Sequence, residues 1–300
     1  MQVDKIDTFS GHRDCVYALE GSKDSSQFFS AGGDGLIVKW NLKTPDLGEL
    51  IAQVPASVYA ICLDKQRNQL WVGQNFDGIH LIDVALKQEI KSLKITSASI
   101  FDIKIYENIA LIGLSDGIIV VMDVETFSVK RHLKASDKSV RSIAINELTK
   151  EFAVGYSDFS VKIFDLQDFS LKLVIDEHTN SIFSVCYSPD KKYLLTTGRD
   201  AHLKVWDVTE KYQLKHSIIA HLFAINHITY HPNGDLFATC SMDKSIKIWD
   251  AKTFKLLKVI DKARHAGHGT SVNKLFWSTY EHQLVSASDD KKISVWSLTN

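Results

Sequence analysis

The sequence predicts an all-β fold in which seven successive four-stranded antiparallel sheets stand around a ring. Three observations predict it. First, an aspartate in a short polar turn, with a strand-like run on each side, recurs at Asp34, Asp77, Asp116, Asp158, Asp200, Asp243 and Asp290; the intervals of 39 to 47 residues make seven units that fill the 300 residues. Second, each unit consists of short runs of β-branched and aromatic residues separated by Gly, Asn, Asp, Ser and Pro, as in residues 181–206. Third, no stretch has a convincing helical period. Small sheets packed face to face around a ring bury both faces of every sheet, so the expected architecture is a seven-bladed β-propeller of four-stranded antiparallel blades over residues 1–300.

Taken in order, unit 1 carries Gly11-His12, Ser30, the Gly32-Gly33-Asp34-Gly35 hairpin turn and Lys39-Trp40-Asn41. Units 2, 3 and 4 have Ile82, Met122 and Phe164 in place of the tryptophan, and Gly73, Ile112 and Val154 in place of the hydroxyl residue. They lack the histidine, and the turn aspartate of unit 2 is one residue out of phase. Units 5, 6 and 7 restore the pattern with Val205-Trp206-Asp207, Ile248-Trp249-Asp250, Gly267-His268 and Val295-Trp296-Ser297. Unit 7 lacks a fourth strand after Trp296, while a spare strand, residues 3–9, precedes unit 1. Pairing that strand with the last unit closes the ring and covers an exposed edge.

Four units keep a histidine, a hydroxyl residue, an aspartate and a tryptophan at constant spacing. They are His12, Ser30, Asp34 and Trp40; His178, Thr196, Asp200 and Trp206; His221, Thr239, Asp243 and Trp249; and His268, Ser286, Asp290 and Trp296. An indole N–H only donates, a carboxylate only accepts, and hydroxyl and imidazole do both, so a buried Trp–Ser/Thr–His–Asp chain satisfies every member. Losing hydroxyl and histidine together, as units 2 to 4 do, avoids orphaning one partner. A hydrolase triad is the competing reading of His, Ser and Asp, but a catalytic set is needed once, and this one occurs four times at one phase.

Composition narrows the function. Lys plus Arg (35) nearly cancels Asp plus Glu (36), which gives no electrostatic reason to expect nucleic acid or an anionic membrane as the main partner. Apolar residues make up 45% of the chain, enough for a large core. Cys15, Cys62, Cys186 and Cys240 show no metal or disulfide spacing, and the N-terminus lacks a signal-peptide pattern. A soluble, cytoplasmic protein is expected. His221, His227 and His231 lie near one another, as do His265 and His268, but no cysteine or acid completes a ligand spacing, so neither metal nor cofactor is expected. Lys162, Lys204 and Lys247, two residues before the tryptophan position, read as solvated strand residues.

The Gly-His and Trp-Asp landmarks and their fixed phase resemble WD-repeat proteins over the whole chain. The resemblance implies a non-catalytic scaffold or adaptor that binds other proteins on the narrower rim of the ring. It implies two sets of rim residues, one after the first apolar residue of each innermost strand and one before each turn aspartate. By phase, the first set is Tyr17, Tyr59, Phe101, Arg141, Phe183, Asn226 and Asn273, each two residues after a small neighbour (Cys15, Ser57, Ser99, Ser139, Ser181, Ala224 or Ser271). The second set includes Phe76, Arg199, Met242 and Asp289, with Gly33, Ser115 and Ser157. Aromatic and arginine side chains in a partly desolvated ring resemble a hot-spot cluster, and Arg141 with Arg199 suits an acidic or phosphorylated group of a partner peptide or loop. The alternative is that the rings only pack. Family members that serve ubiquitin ligases often carry arginine two residues after Trp-Asp; here Lys43, Ala85, Glu125, Gln167, Thr209, Lys252 and Thr299 stand there, which counts against that role. A propeller enzyme or small-molecule binder would need acids or metal ligands facing the channel.

Overall fold

A computed structural model describes residues 1–44 and 47–299. Among them, twenty-eight strands form seven four-stranded antiparallel sheets. Blades 1 to 6 span 16–53, 58–93, 100–134, 140–175, 182–219 and 225–260, each in simple strand order. Blade 7 combines Val272–Trp277, Leu284–Ser288 and Ile293–Thr299 with Gln2–Phe9, which pairs with Ile293–Thr299 and closes the ring. The first strand of each blade touches the first strand of the next, blade 7 returning to blade 1, so these seven strands wall a central channel.

The core lies between blades. One cluster joins Phe29, Ile37 and Ile51 of blade 1 to Ile61, Leu70 and Ile82 of blade 2, and the pattern repeats around the ring. The closing strand is anchored by Phe9, whose ring stacks on Trp40 at 5.4 Å and Phe28 at 5.9 Å. The aspartate after the tryptophan position has a local role. Asp83, Asp123, Asp165, Asp207 and Asp250 each accept backbone N–H groups two and three residues on, fixing the turn into the outer strand. In three of these turns an aromatic residue with positive φ (Phe127, Tyr212, Phe254) tucks into the core between blades. At the hairpin of unit 1, Gly35 has φ +71°, and a Cβ there would stand 2.1 Å from the Val54 carbonyl oxygen.

One feature lies below what periodicity reveals, and one expectation is corrected. The longest interval, between Asp243 and Asp290, holds a one-turn helix, Lys262–His265, capped by the Asp261 side chain, which accepts from Arg264 N–H. Such a short turn leaves no periodic signal. The lysines two before the tryptophan position are not solvated: Lys162 and Lys204 are buried and Lys247 is half-buried. Lys204 and Lys247 donate at 2.6 Å to the carbonyls of Glu177 and Ala220, the residues just before two network histidines. Lys162 sits 2.8 Å from Asp158, 2.5 Å from Ser160 Oγ and 4.4 Å over the Tyr156 ring. Blade 4 has thus rebuilt a buried polar set from other residues instead of turning wholly apolar.

No helix among the described residues is long and apolar enough to cross a membrane.

Candidate functional site

The geometry begins with a backbone irregularity that recurs in every blade. The pairing between the first and second strands skips one residue between Val16 and Ala18, Val58 and Ala60, Ile100 and Asp102, Val140 and Ser142, Ile182 and Ser184, Ile225 and His227, and Val272 and Lys274. The skipped residues are Tyr17, Tyr59, Phe101, Arg141, Phe183, Asn226 and Asn273. A bulge leaves its extra residue unpaired and re-aims it. Here that brings all seven together around one cavity of about 420 Å³ at the channel mouth, with Ser99 completing the lining.

The mouth is divided by chemistry. Tyr17 meets Tyr59 edge-on at 4.7 Å, and Tyr59 leans on Phe101 at 5.6 Å. The Arg141 guanidinium lies 4.4 Å from the Phe101 ring centre and 5.4 Å from that of Phe183. Its Nε donates to Ser157 Oγ at 2.8 Å. Burial lowers the Arg141 pKa, Tyr59 opposes that shift, and the nearby Arg199 adds to it. Neither arginine forms an ion pair among the described residues. On the other side, Asn226 donates to Ser271 Oγ and Val272 O, and Asn273 donates to Val16 O and to Asp289. The amides therefore tie blade 6 to 7 and 7 to 1, while the rings and Arg141 line the open side. Of the outer set, Phe76 (62% exposed), Met242 (52%) and Arg199 stand free in solvent. Met242 adjoins an exposed Leu222-Phe223 pair that the spacing of the repeats does not single out.

The small residues two positions earlier are more than spacers. Ser57, Ser139 and Ser181 donate to the carbonyls of Gly33, Ser115 and Ser157 in the preceding blade. Cys15 reaches the Asp289 carbonyl at 3.7 Å.

The four histidine sets lie at the blade turns and share no residue with the lining of the mouth. Trp40, Trp206, Trp249 and Trp296 donate to Ser30, Thr196, Thr239 and Ser286 at 2.7 to 2.9 Å. Nε2 of His12, His178, His221 and His268 lies 2.7 to 2.9 Å from the same hydroxyls. Nδ1 lies 2.7 to 3.1 Å from Asp34, Asp200, Asp243 and Asp290. The geometry suits the neutral Nδ1–H tautomer donating to the carboxylate, with the hydroxyl donating to Nε2. Burial favours the neutral imidazole of His221, outweighing Asp243. Burial pushes the Asp200 carboxyl up, but the His178 contact and backbone N–H groups hold it down at about 2. Nothing here offers a reacting atom: every member is spent on another.

Below the mouth the channel carries charge that spacing did not reveal. Asp102, Ser142, Ser184 and His227, each directly after the bulge, accept the backbone N–H of Ile143, Val185, Ile228 and Leu275 in the next blade at 2.7 to 3.4 Å. Lys104 pairs with Asp102 at 3.2 Å, and Glu20 and Lys274 face the same space. Burial raises the Glu20 pKa and lowers those of His227 and Lys274. Acids and lysines alternate here as a mutually compensated belt, and no group of three or more metal-ligand side chains occurs among the described residues.

A ring of tryptophan-anchored blades with a lined channel mouth defines a WD-type propeller. The family model for the WD domain, G-beta repeat, matches residues 4–41, 169–207, 212–250 and 259–297, more than half of the chain, and the chain belongs to that family. The matched segments hold the four complete His–hydroxyl–Asp–Trp sets; residues 42–168, where the units that lack them lie, fall outside the matches. The chain is similar to the periodic tryptophan protein 2 homolog of Mus musculus, 24% identical over 222 residues, covering 66% of this chain and 24% of that protein. It is also similar to periodic tryptophan protein 2 of Saccharomyces cerevisiae, 23% identical over 217 residues, covering 69% and 21%. It therefore spans under a quarter of the length of these relatives. The crystal structure of the WD40 β-propeller domain of Doa1 superposes with a TM-score of 0.88 at 16% identity, covering 100% of this chain and 98% of that one, a likeness of fold.

Proposed function

We propose that the chain is a non-catalytic interaction platform that docks a peptide or loop of a partner protein, in the cytoplasm, at the channel mouth. The observation that carries this reading is Arg141. Its guanidinium lies against two phenylalanine rings, has one neutral hydrogen-bond partner, and lacks an acid. A desolvated guanidinium with unspent donors favours a carboxylate or phosphate, which it binds in a bidentate fork. Tyr17, Tyr59 and Phe183 around it supply rigid apolar contact area. Exposed Arg199 widens the cationic side of the mouth, and Phe76 and Met242 extend the apolar surface outwards.

The test is affinity capture from native lysate with wild type, Tyr17→Ala/Phe101→Ala/Phe183→Ala and Arg141→Met, after matching their melting temperatures. Partners lost from both variants support docking at the mouth through an acidic group. Retention by both variants assigns the rings to packing and refutes the proposal.

A further inference from the structure

A second cavity, of about 370 Å³, opens on blade 7 and shares no residue with the mouth. Its walls come from three separate parts of the chain. Lys5 and Thr8 belong to the closing strand, Ser294 to the strand that it pairs with, with Lys292 just before it, and Lys262 and residues 266–269 to the insert in the longest repeat interval. Strand geometry explains the convergence. Ser294 lines the cavity from its strand, and Lys292, the residue just before that strand begins, lines it beside Ser294. On the closing strand the register skips Ile6, so Lys5 pairs with Trp296 and Thr8 with Ser294, which puts Lys5 and Thr8 on the same face as Ser294 despite their spacing of three. The insert then folds over this face. Lys5 Nζ donates to Ala266 O at 2.9 Å, and the Lys262 ammonium stands 3.4 Å from where a Cβ on Gly269 would be.

The charges here do not cancel. Lys5, Lys262 and Lys292 form no ion pair among the described residues, and the half-buried Lys5 spends one donor on the Ala266 carbonyl. The one carboxylate in the lining, Asp290, is spent on His268 Nδ1 and on the backbone N–H groups of Lys292 and Gly269. Burial and the neighbouring Lys292 both lower the pKa of Lys5, with Asp290 opposing. Three ammonium groups converging on a concave, hydroxyl-lined space make a site that lacks its anion.

We propose that this cavity binds a phosphoryl group through Lys5, Lys262 and Lys292. Its size suits one or two phosphoryl units and not an extended chain. The group is carried either by a small soluble polyphosphate or by a phosphorylated side chain of a partner. Because the three lysines come from the closing strand, the residue just before its partner strand and the insert, the bound anion ties together the segments that complete the ring.

The experiment is calorimetric titration of the full chain with pyrophosphate, with a phosphoserine peptide of neutral flanks and with its unphosphorylated form, alongside thermal melts. Three proteins are compared: wild type, Lys262→Gln/Lys292→Gln, and Lys138→Gln/Lys244→Gln as a matched change of charge elsewhere. Lys262 and Lys292 are exposed, so their replacement leaves the fold intact. Expected are binding by wild type and by the matched control, a melting temperature raised on the order of 4 °C at a hundredfold excess over Kd, and at least tenfold weaker binding by Lys262→Gln/Lys292→Gln. Binding of both phosphorylated ligands, or of pyrophosphate alone, identifies the source. No binding at millimolar concentration, equal loss in the matched control, or equal binding of the unphosphorylated peptide overturns the proposal.

Discussion

Replacing Thr239 by valine removes one oxygen atom at nearly constant shape and disconnects two buried groups. Thr239 Oγ1 accepts from Trp249 Nε1 at 2.9 Å and donates to His221 Nε2 at 2.8 Å. All three residues are at most 3% exposed, so no water replaces the hydroxyl. An orphaned buried polar group costs about 1–3 kcal/mol; two such groups, less the gain from the added methyl, give about 3 kcal/mol. Unfolding entropy of about 2.1 cal/mol/K per residue over 300 residues makes each kcal/mol worth about 1.6 °C, so the expected drop in melting temperature is about 5 °C. Trp249→Phe in the same background removes one of the two orphans. The double variant should therefore lose at least about 1 kcal/mol less than the sum of the singles. Scanning calorimetry of the wild type, the two singles and the double reads both quantities. A shift below about 1 °C for Thr239→Val, or strict additivity, would refute the reasoning that these sets matter as satisfied polar chains.

Phe9→Ala removes the ring that stacks on Trp40 and Phe28 at the ring closure and should cost about 3–5 kcal/mol, and deletion of residues 1–9 should abolish most soluble yield; both are read from expression and melts. In blade 4, Lys162→Met strands the Asp158 carboxylate, whose pKa burial raises and the ammonium lowers. The expected loss is about 2 kcal/mol, below the 3–5 kcal/mol of a fully buried pair, and Asp158→Ser added to it should restore part of that loss. Acid should destabilise the protein in two stages. His221 is held below its ordinary value of 6.5, so the unfolded chain takes up its proton first and stability falls as pH drops below about 6.5. Asp200, at about 2 against an ordinary 3.8, contributes stability that is lost between about pH 4 and pH 2. Melts across that range should show the second stage diminished in Asp200→Asn.

The blades were legible because their punctuation is phased. A turn aspartate at a near-constant interval fixes register, and register fixes which residues face the core. The missing outer strand after Trp296 and the spare residues 3–9 implied the closure that Gln2–Phe9 makes. The seven residues of the mouth were found through family phase, but the reason they converge, a skipped residue in each inner strand, is a backbone feature without a residue-type signature: Tyr, Phe, Arg and Asn all occupy it. The same holds for the channel belt, since Glu20, Asp102, Lys104 and Lys274 alternate with apolar residues as ordinary strand positions do. Spacing alone predicts a solvated Lys162, because lysine is usually exposed. The paired Asp158 and the aromatic Tyr156 nearby were the available clue.

The closing strand also sets how the molecule fails. An open array of stacked repeats frays from its ends, each outer unit leaving at the cost of one interface. Here the blade that would be terminal contains Gln2–Phe9 and Ile293–Thr299 side by side, so every blade has two neighbours and none can leave alone. Loss of any one inter-blade contact is felt by the whole circuit, and contacts across some 290 residues of chain must form before the circuit exists. Such non-local closure slows folding, and it makes loss of the ring a concerted event.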